Sequence, residues 1–214
     1  SSLGLSRHAW LRKYCFGFFA GIIMFSAVFA VLAAAGLVKE DLGSGNQPAA
    51  ASIPPVLIVL AGWIVQGPGE EILCRGWMMP VLSARYRVSA GVLLSSLVFA
   101  IYHSLNPSFS TVAFLNIFLV GIFLSLFTLA EGSIWGVFGW HTAWNWAQGD
   151  IFGLPVSGLG SGGGSILHFQ VHGPALLTGS GFGPEGGMAV TGILVGGIAL
   201  MLWFLQRKTS QNPR

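Results

Sequence analysis

A chain of 214 residues that is 53% hydrophobic and only 8% charged lacks the polar surface a water-soluble domain needs, since such domains carry about 25% charged residues. Its outer surface must be apolar as well, which excludes a soluble fold and predicts an integral membrane protein. The net charge of +3 is small and dispersed, so it bears on orientation in a bilayer and implies no nucleic-acid partner.

Taken in order, the chain opens with Arg7, Arg12 and Lys13 before an uncharged apolar run at 14–38. That run exceeds the roughly 20 residues a helix needs to cross a bilayer. With Ala33, Ala34 and Ala35 near its end it imitates a secretory signal, but it is too long for an ordinary signal core and is expected to remain as a span. A Gly-, Ser-, Asn- and Pro-containing stretch at 43–55 predicts a flexible crossing. Apolar runs follow at 53–66, 88–103, 109–130, 133–148 and 188–205. None shows the alternation of a barrel strand, so helices are expected to satisfy the backbone in lipid. The reading is an all-α, polytopic membrane helical bundle of about six transmembrane helices, one domain over 1–214, with a polar site buried between helices. Six spans place Arg7, Arg12 and Lys13, then Arg85 and Arg87, then Arg207 and Lys208 on one side. The positive-inside rule makes that side, and both termini, cytoplasmic; Lys39 falls on the other side.

Two further features concern packing and connection. Small residues four apart at Gly17/Gly21 and Gly192/Gly196 allow helices to approach closely within the bundle. The polar, glycine-rich segment 150–187 is too long for an ordinary connection and is expected to be a flexible outer loop, either loose or capping an entrance. Its His168 and His172 are read as ordinary loop residues. Nothing about Cys15 and Cys74 suggests a disulfide.

The charges at Glu70, Glu71 and Arg75 need a separate account, because the other charged residues lie at termini, predicted loops or helix ends. Gly67-Pro68-Gly69 predicts a break, with Pro68 opening a new helix. The chain then turns apolar again until Arg85, which puts Glu70 roughly 22 Å from the basic end of a helix rising 1.5 Å per residue. Charges at that depth are expensive and usually face the bundle interior at functional sites. Glu71 and Arg75, four apart, can neutralise each other, while Glu70 points about 100° away around the helix. Polar partners at comparable depth are His103, which ends FAIYH, and a stripe of His141, Asn145 and Gln148 on a tryptophan-rich run. A carboxylate in an apolar site suits general-base work, and two histidines with a carboxylate also suit Zn²⁺ with an open water position. The HExxH pattern is absent, and Asn145 is a poor zinc ligand.

EEILCR fits EExxxR, FAIYH fits FxxxH and HTAWN fits HxxxN, in that order on separate runs. In these motifs the chain resembles the CPBP family of intramembrane proteases, which includes type II CAAX prenyl endopeptidases and bacteriocin-processing or immunity relatives. The resemblance covers roughly residues 63–205, and the stretch TGSGFGPEG at 178–186 shares its look. It implies hydrolysis of a peptide bond of a membrane-associated protein or peptide. Glu70 would activate water, and His103 would hold that water or share its proton. His141 and Asn145 would steady the oxyanion, and Glu71 and Arg75 would support them as an ion pair. It also implies a metalloprotease label, with Zn²⁺ held by Glu70, His103 and His141, and a seat in a bacterial plasma membrane. The partners expected are membrane lipid and a membrane-embedded substrate. Two other readings use the same residues: a non-catalytic immunity or assembly factor, and a small transporter with a mid-membrane polar site.

Overall fold

The computed structural model describes residues 3–41, 49–160 and 164–211. Its long helices are α1 (Trp10–Ala34), α2 (Ala49–Glu71), α4 (Val88–His103), α5 (Thr111–Glu131), α6 (Trp135–Trp146) and α8 (Met188–Gln211). Shorter helices α3 (Met79–Arg85) and α7 (Ala175–Thr178) join them. Strands β1 (Val38–Glu40) and β2 (Phe169–Val171) pair antiparallel, with Val38 opposite Val171 and Glu40 opposite Phe169. Among the described residues, four helical segments are long and apolar enough to cross a membrane, and Val88–His103 is a shorter apolar helix. The all-α bundle read from composition is therefore present. Its outer face is apolar as well, with Phe19, Ile23, Ile58 and Val65 all exposed.

The region around the charged stretch departs from expectation. Helix α2 starts at Ala49, so the predicted crossing at 43–55 already ends inside a helix; residues 42–48 lie outside the described residues. No break occurs at Gly67–Gly69. Pro68 sits inside α2, and the helix continues through a π-helical segment, Ile72–Met78, into α3. A proline removes one N–H and bends a helix, yet neighbouring helices can hold the freed groups in a bundle. The continuous unit from Ala51 to Arg85 has 35 residues, or about 50 Å at the helical rise. That exceeds a hydrocarbon core of about 30 Å, so this helix must tilt or project beyond it.

Glycine sets the closest contact in the bundle. A Cβ on Gly17 would fall 1.8 Å from the Gly136 carbonyl oxygen, and one on Gly139 would fall 2.0 Å from that of Tyr14. One on Gly21 would reach 2.6 Å from the Trp140 oxygen. Helices α1 and α6 thus meet backbone to backbone, which only small residues permit. The matching expectation for Gly192 and Gly196 fails: among the described residues, nothing lies within 4 Å of a Cβ at either.

The outer segment is also built differently from the flexible loop expected at 150–187. Leu154, Phe182 and Glu185 are buried, and the Asn116 amide of α5 donates to the carbonyls of Glu185 (2.8 Å) and Gly187 (2.9 Å). Several of its glycines, among them Gly158, Gly179 and Gly183, serve close backbone approach. Gly183, at φ +87°, leaves no room for a Cβ, which would lie 2.0 Å from the Pro155 oxygen. His168 and His172 flank β2. The His168 ring meets the Ser165 hydroxyl at 3.1 Å, and the His172 N–H donates to the Leu37 carbonyl. Both cysteines are free; Cys15 is exposed and Cys74 buried.

Gly17→Val should therefore destabilise the protein by about 3 kcal/mol or more, since backbone has no rotamer with which to yield. Gly192→Val, in open space, should stay within about 0.5 kcal/mol. Thermal unfolding in detergent measures both.

Candidate active site

The π-helical segment begins immediately after Glu71 and carries Arg75. Single π turns recur at functional sites because they re-aim side chains without ending a helix. Glu71 and Arg75 are fully buried, and Arg75 Nη1 donates to Glu71 Oε1 at 2.9 Å. The second guanidinium nitrogen donates to the Gly121 carbonyl at 3.1 Å, and the guanidinium lies 4.6 Å from the centre of the Phe99 ring. The cation is thus fixed by α2's continuation, α4 and α5 together.

Glu71 Oε1 takes a second donor. His141 Nδ1 lies 2.9 Å from it, and because a carboxylate only accepts, that nitrogen carries the proton. His103 Nδ1 lies 2.9 Å from the Phe99 carbonyl, which fixes its proton in the same way. Both rings therefore turn Nε2 the other way, towards Glu70. Each Nε2 stands 3.9 Å from Glu70 Oε2, and that oxygen is buried with no hydrogen-bond partner. The other oxygen, Oε1, accepts from the Gln66 amide one turn earlier. Gln66 Oε1 accepts in turn from Asn145 Nδ2 at 3.3 Å. The motif residues of α2, α4 and α6 thus converge on one cavity of about 250 Å³ lined by Glu70, His103, His141 and Asn145.

Sequence reading missed two contributors, Gln66 and Glu185, and misplaced a third residue, Gln148. Gln66 links Asn145 to Glu70, yet reads as the polar end of an apolar run; only its i−4 spacing from Glu70 hinted at the contact. Gln148, expected in the stripe with His141 and Asn145, instead turns to the outer segment and donates to Pro155 O and Glu185 Oε2. Glu185, from the GPEG stretch, also lines the cavity. Its carboxylate accepts from Trp144 Nε1 (3.0 Å), Ser157 N (2.7 Å) and Ser157 Oγ (2.8 Å). A charge so fully hydrogen-bonded needs no cation, and this one ties the roof of the cavity to α6.

Whether the set suits a metal is a question of spacing. Zinc bonds of about 2.0–2.1 Å in tetrahedral geometry hold donors about 3.4 Å apart, shorter than the 3.9 Å between Glu70 Oε2 and either imidazole. Among the described residues, no group of three or more His, Cys, Asp or Glu side chains is placed to hold a metal ion. The donors have the right types and face one another, but they would have to close in.

Removing one member of a buried ion pair strands the other, at about 3–5 kcal/mol. Arg75→Ala should lower stability by that amount, whereas Glu70→Gln, which breaks no ion pair as short as Glu71–Arg75, should change it by no more than about 1 kcal/mol. Equilibrium unfolding in mixed micelles distinguishes the two.

Comparison with known proteins adds one positive finding. No curated protein and no solved structure matches the chain. The family described as type II CAAX prenyl endopeptidase, Rce1-like, matches residues 52–147, a little under half of the chain. The stretch from 148 to 205, where the motif resemblance continues, lies outside that match. Residues 52–147, which carry Glu70, Glu71, Arg75, His103, His141 and Asn145, are thus similar to the Rce1-like type II CAAX prenyl endopeptidases.

Proposed function

We propose that the chain is an intramembrane endopeptidase that cleaves a peptide bond of a membrane-associated protein or peptide, using water activated by Glu70. The observation that carries this reading is the buried Glu70 Oε2, without a hydrogen-bond partner and 3.9 Å from the Nε2 of both His103 and His141. A water between Glu70 Oε2 and either Nε2 would lie at ordinary hydrogen-bond distance from both. Glu70 takes its proton as the oxygen attacks the scissile carbonyl carbon, and the protonated carboxyl then gives that proton to the departing amine. His103 Nε2, an acceptor in the neutral ring, holds the second water proton.

Asn145 spends one N–H on Gln66 and has a second for the developing oxyanion. His141 donates there as well when its Nε2 is protonated. Such donors are worth about 2.7–4 kcal/mol each in the transition state. An apolar groove of about 410 Å³, lined by Val65, Leu73, Val98 and Tyr102, also borders Glu70, and these four residues are exposed. It suits an apolar segment approaching from lipid. A membrane-anchored peptide or leader segment in a bacterial plasma membrane fits this reading, with both termini of the enzyme on the cytoplasmic side.

A zinc-assisted variant draws support from ring orientation, since metal-bound histidines also commit one N–H to a carbonyl or carboxylate. Zinc would polarise the water and leave the order of proton movements to the same residues. The two readings separate experimentally. In proteoliposomes with a membrane-anchored peptide library, Glu70→Gln should lower cleavage by about 10³-fold, within the range for loss of a general base. Unchanged cleavage in a folded variant would remove the proposal. Zinc at one per chain after re-addition and desalting, lost in His103→Ala/His141→Ala, would replace the metal-free scheme; no retained metal supports it.

A further inference from the structure

At the opposite end of the bundle from the outer segment, α1, α5 and α8 leave a cleft of about 480 Å³. Its walls are mostly apolar, formed by Phe16, Phe127, Met201 and the half-exposed Phe204, and Arg12 and Lys13 stand at its edge. It shares Ala130 and Phe204 with a second depression lined by Trp203, Arg207 and Lys208. Two cations therefore line a greasy slot open to the side of the bundle, and two more line the depression that adjoins it.

The charge around it is unbalanced. Glu131, the carboxylate of the cleft, accepts from the Ser133 hydroxyl and from the Gly136 N–H, and Lys13 Nζ donates to that same hydroxyl at 3.0 Å. Lys13 thus offsets Glu131. Lys208 Nζ donates to the Ala130 carbonyl, at the last turn of α5, at 3.2 Å, and Arg207 lies 4.1 Å over the Trp203 ring. Among the described residues neither these two nor Arg12 forms an ion pair. Three positive charges at the ends of apolar helices, beside a slot shaped for a hydrocarbon chain, call for a ligand with an anionic head and an apolar tail.

We propose that this cleft binds an anionic phospholipid, with one acyl chain between Phe16, Phe127 and Phe204 and its phosphate against Arg12, Arg207 and Lys208. Basic pockets between helices at a membrane surface hold anionic headgroups by this combination. The site lies outside the Glu70 cavity and is independent of the reaction proposed there.

The test uses the full chain, delipidated in detergent, with native mass spectrometry and thermal unfolding as readouts. Phosphatidylglycerol should be retained and should raise the Tm. Phosphatidylcholine with the same acyl chains, and sodium phosphate alone, should do neither. Arg12→Gln and Lys208→Gln should each weaken phosphatidylglycerol binding about fivefold, the equivalent of about 1 kcal/mol per basic residue, while Lys39→Gln, remote from the cleft, should not. Equal effects of the two lipids on the wild-type chain would overturn the proposal without any variant. So would phosphate alone reproducing the effect, or a dimer that forms over the cleft and excludes lipid.

Discussion

Glu71 Oε1 receives two donors inside the membrane bundle, Arg75 Nη1 and His141 Nδ1, each at 2.9 Å, and the geometry of the site depends on that shared atom. A buried guanidinium must be neutralised, and Glu71 does so from one turn away. A carboxylate that already answers a full cation still has lone pairs to spare, and the second goes to a ring on a different helix. The ion pair thereby becomes a joint between the long second helix and α6. It also fixes which face of His141 points at Glu70.

Backbone packing makes the joint stiff. Helix α6 is held against α1 by glycines on both sides that leave no space for a side chain, so His141 and Asn145 cannot drift along that interface. Arg75 reaches the Gly121 carbonyl of α5, and Gly121 itself sits where a Cβ would come within 2.7 Å of Ser96. The helices bearing the site residues are therefore located by contacts that tolerate almost no change in volume. Glu70 is the exception. One oxygen is steadied by Gln66, and the other is buried without a hydrogen-bond donor. A rigid frame around one under-satisfied carboxylate is the arrangement a general base requires, because its reactivity comes from interactions withheld.

Much of this was legible in the sequence for physical reasons. Charges are costly in lipid, so Glu70, Glu71 and Arg75 stood out against an apolar background, and i,i+4 spacing paired two of them in advance. Polar residues at matching depth then identified His103, His141 and Asn145. What stayed hidden depended on tertiary partners. Pro68 and its flanking glycines read as a break, yet the helix runs through them because the bundle supports it. Glycine abundance in the outer segment read as looseness, while Gly179 and Gly183 in fact permit backbone contacts that no other residue allows. Glu185 carried no cation partner in sequence to mark it, because its donors are an indole, a backbone N–H, a hydroxyl and an amide from distant positions.

The central claim, that Glu71 sets the proton position of His141 and so frees Nε2 to face Glu70, can be read directly from ¹⁵N NMR of histidine-labelled protein in detergent. The account predicts a His141 ring protonated at Nδ1, whether neutral or doubly protonated, unchanged in Glu70→Gln and altered in Glu71→Gln. A neutral His141 carrying its only proton on Nε2, or one indifferent to Glu71→Gln, would contradict it.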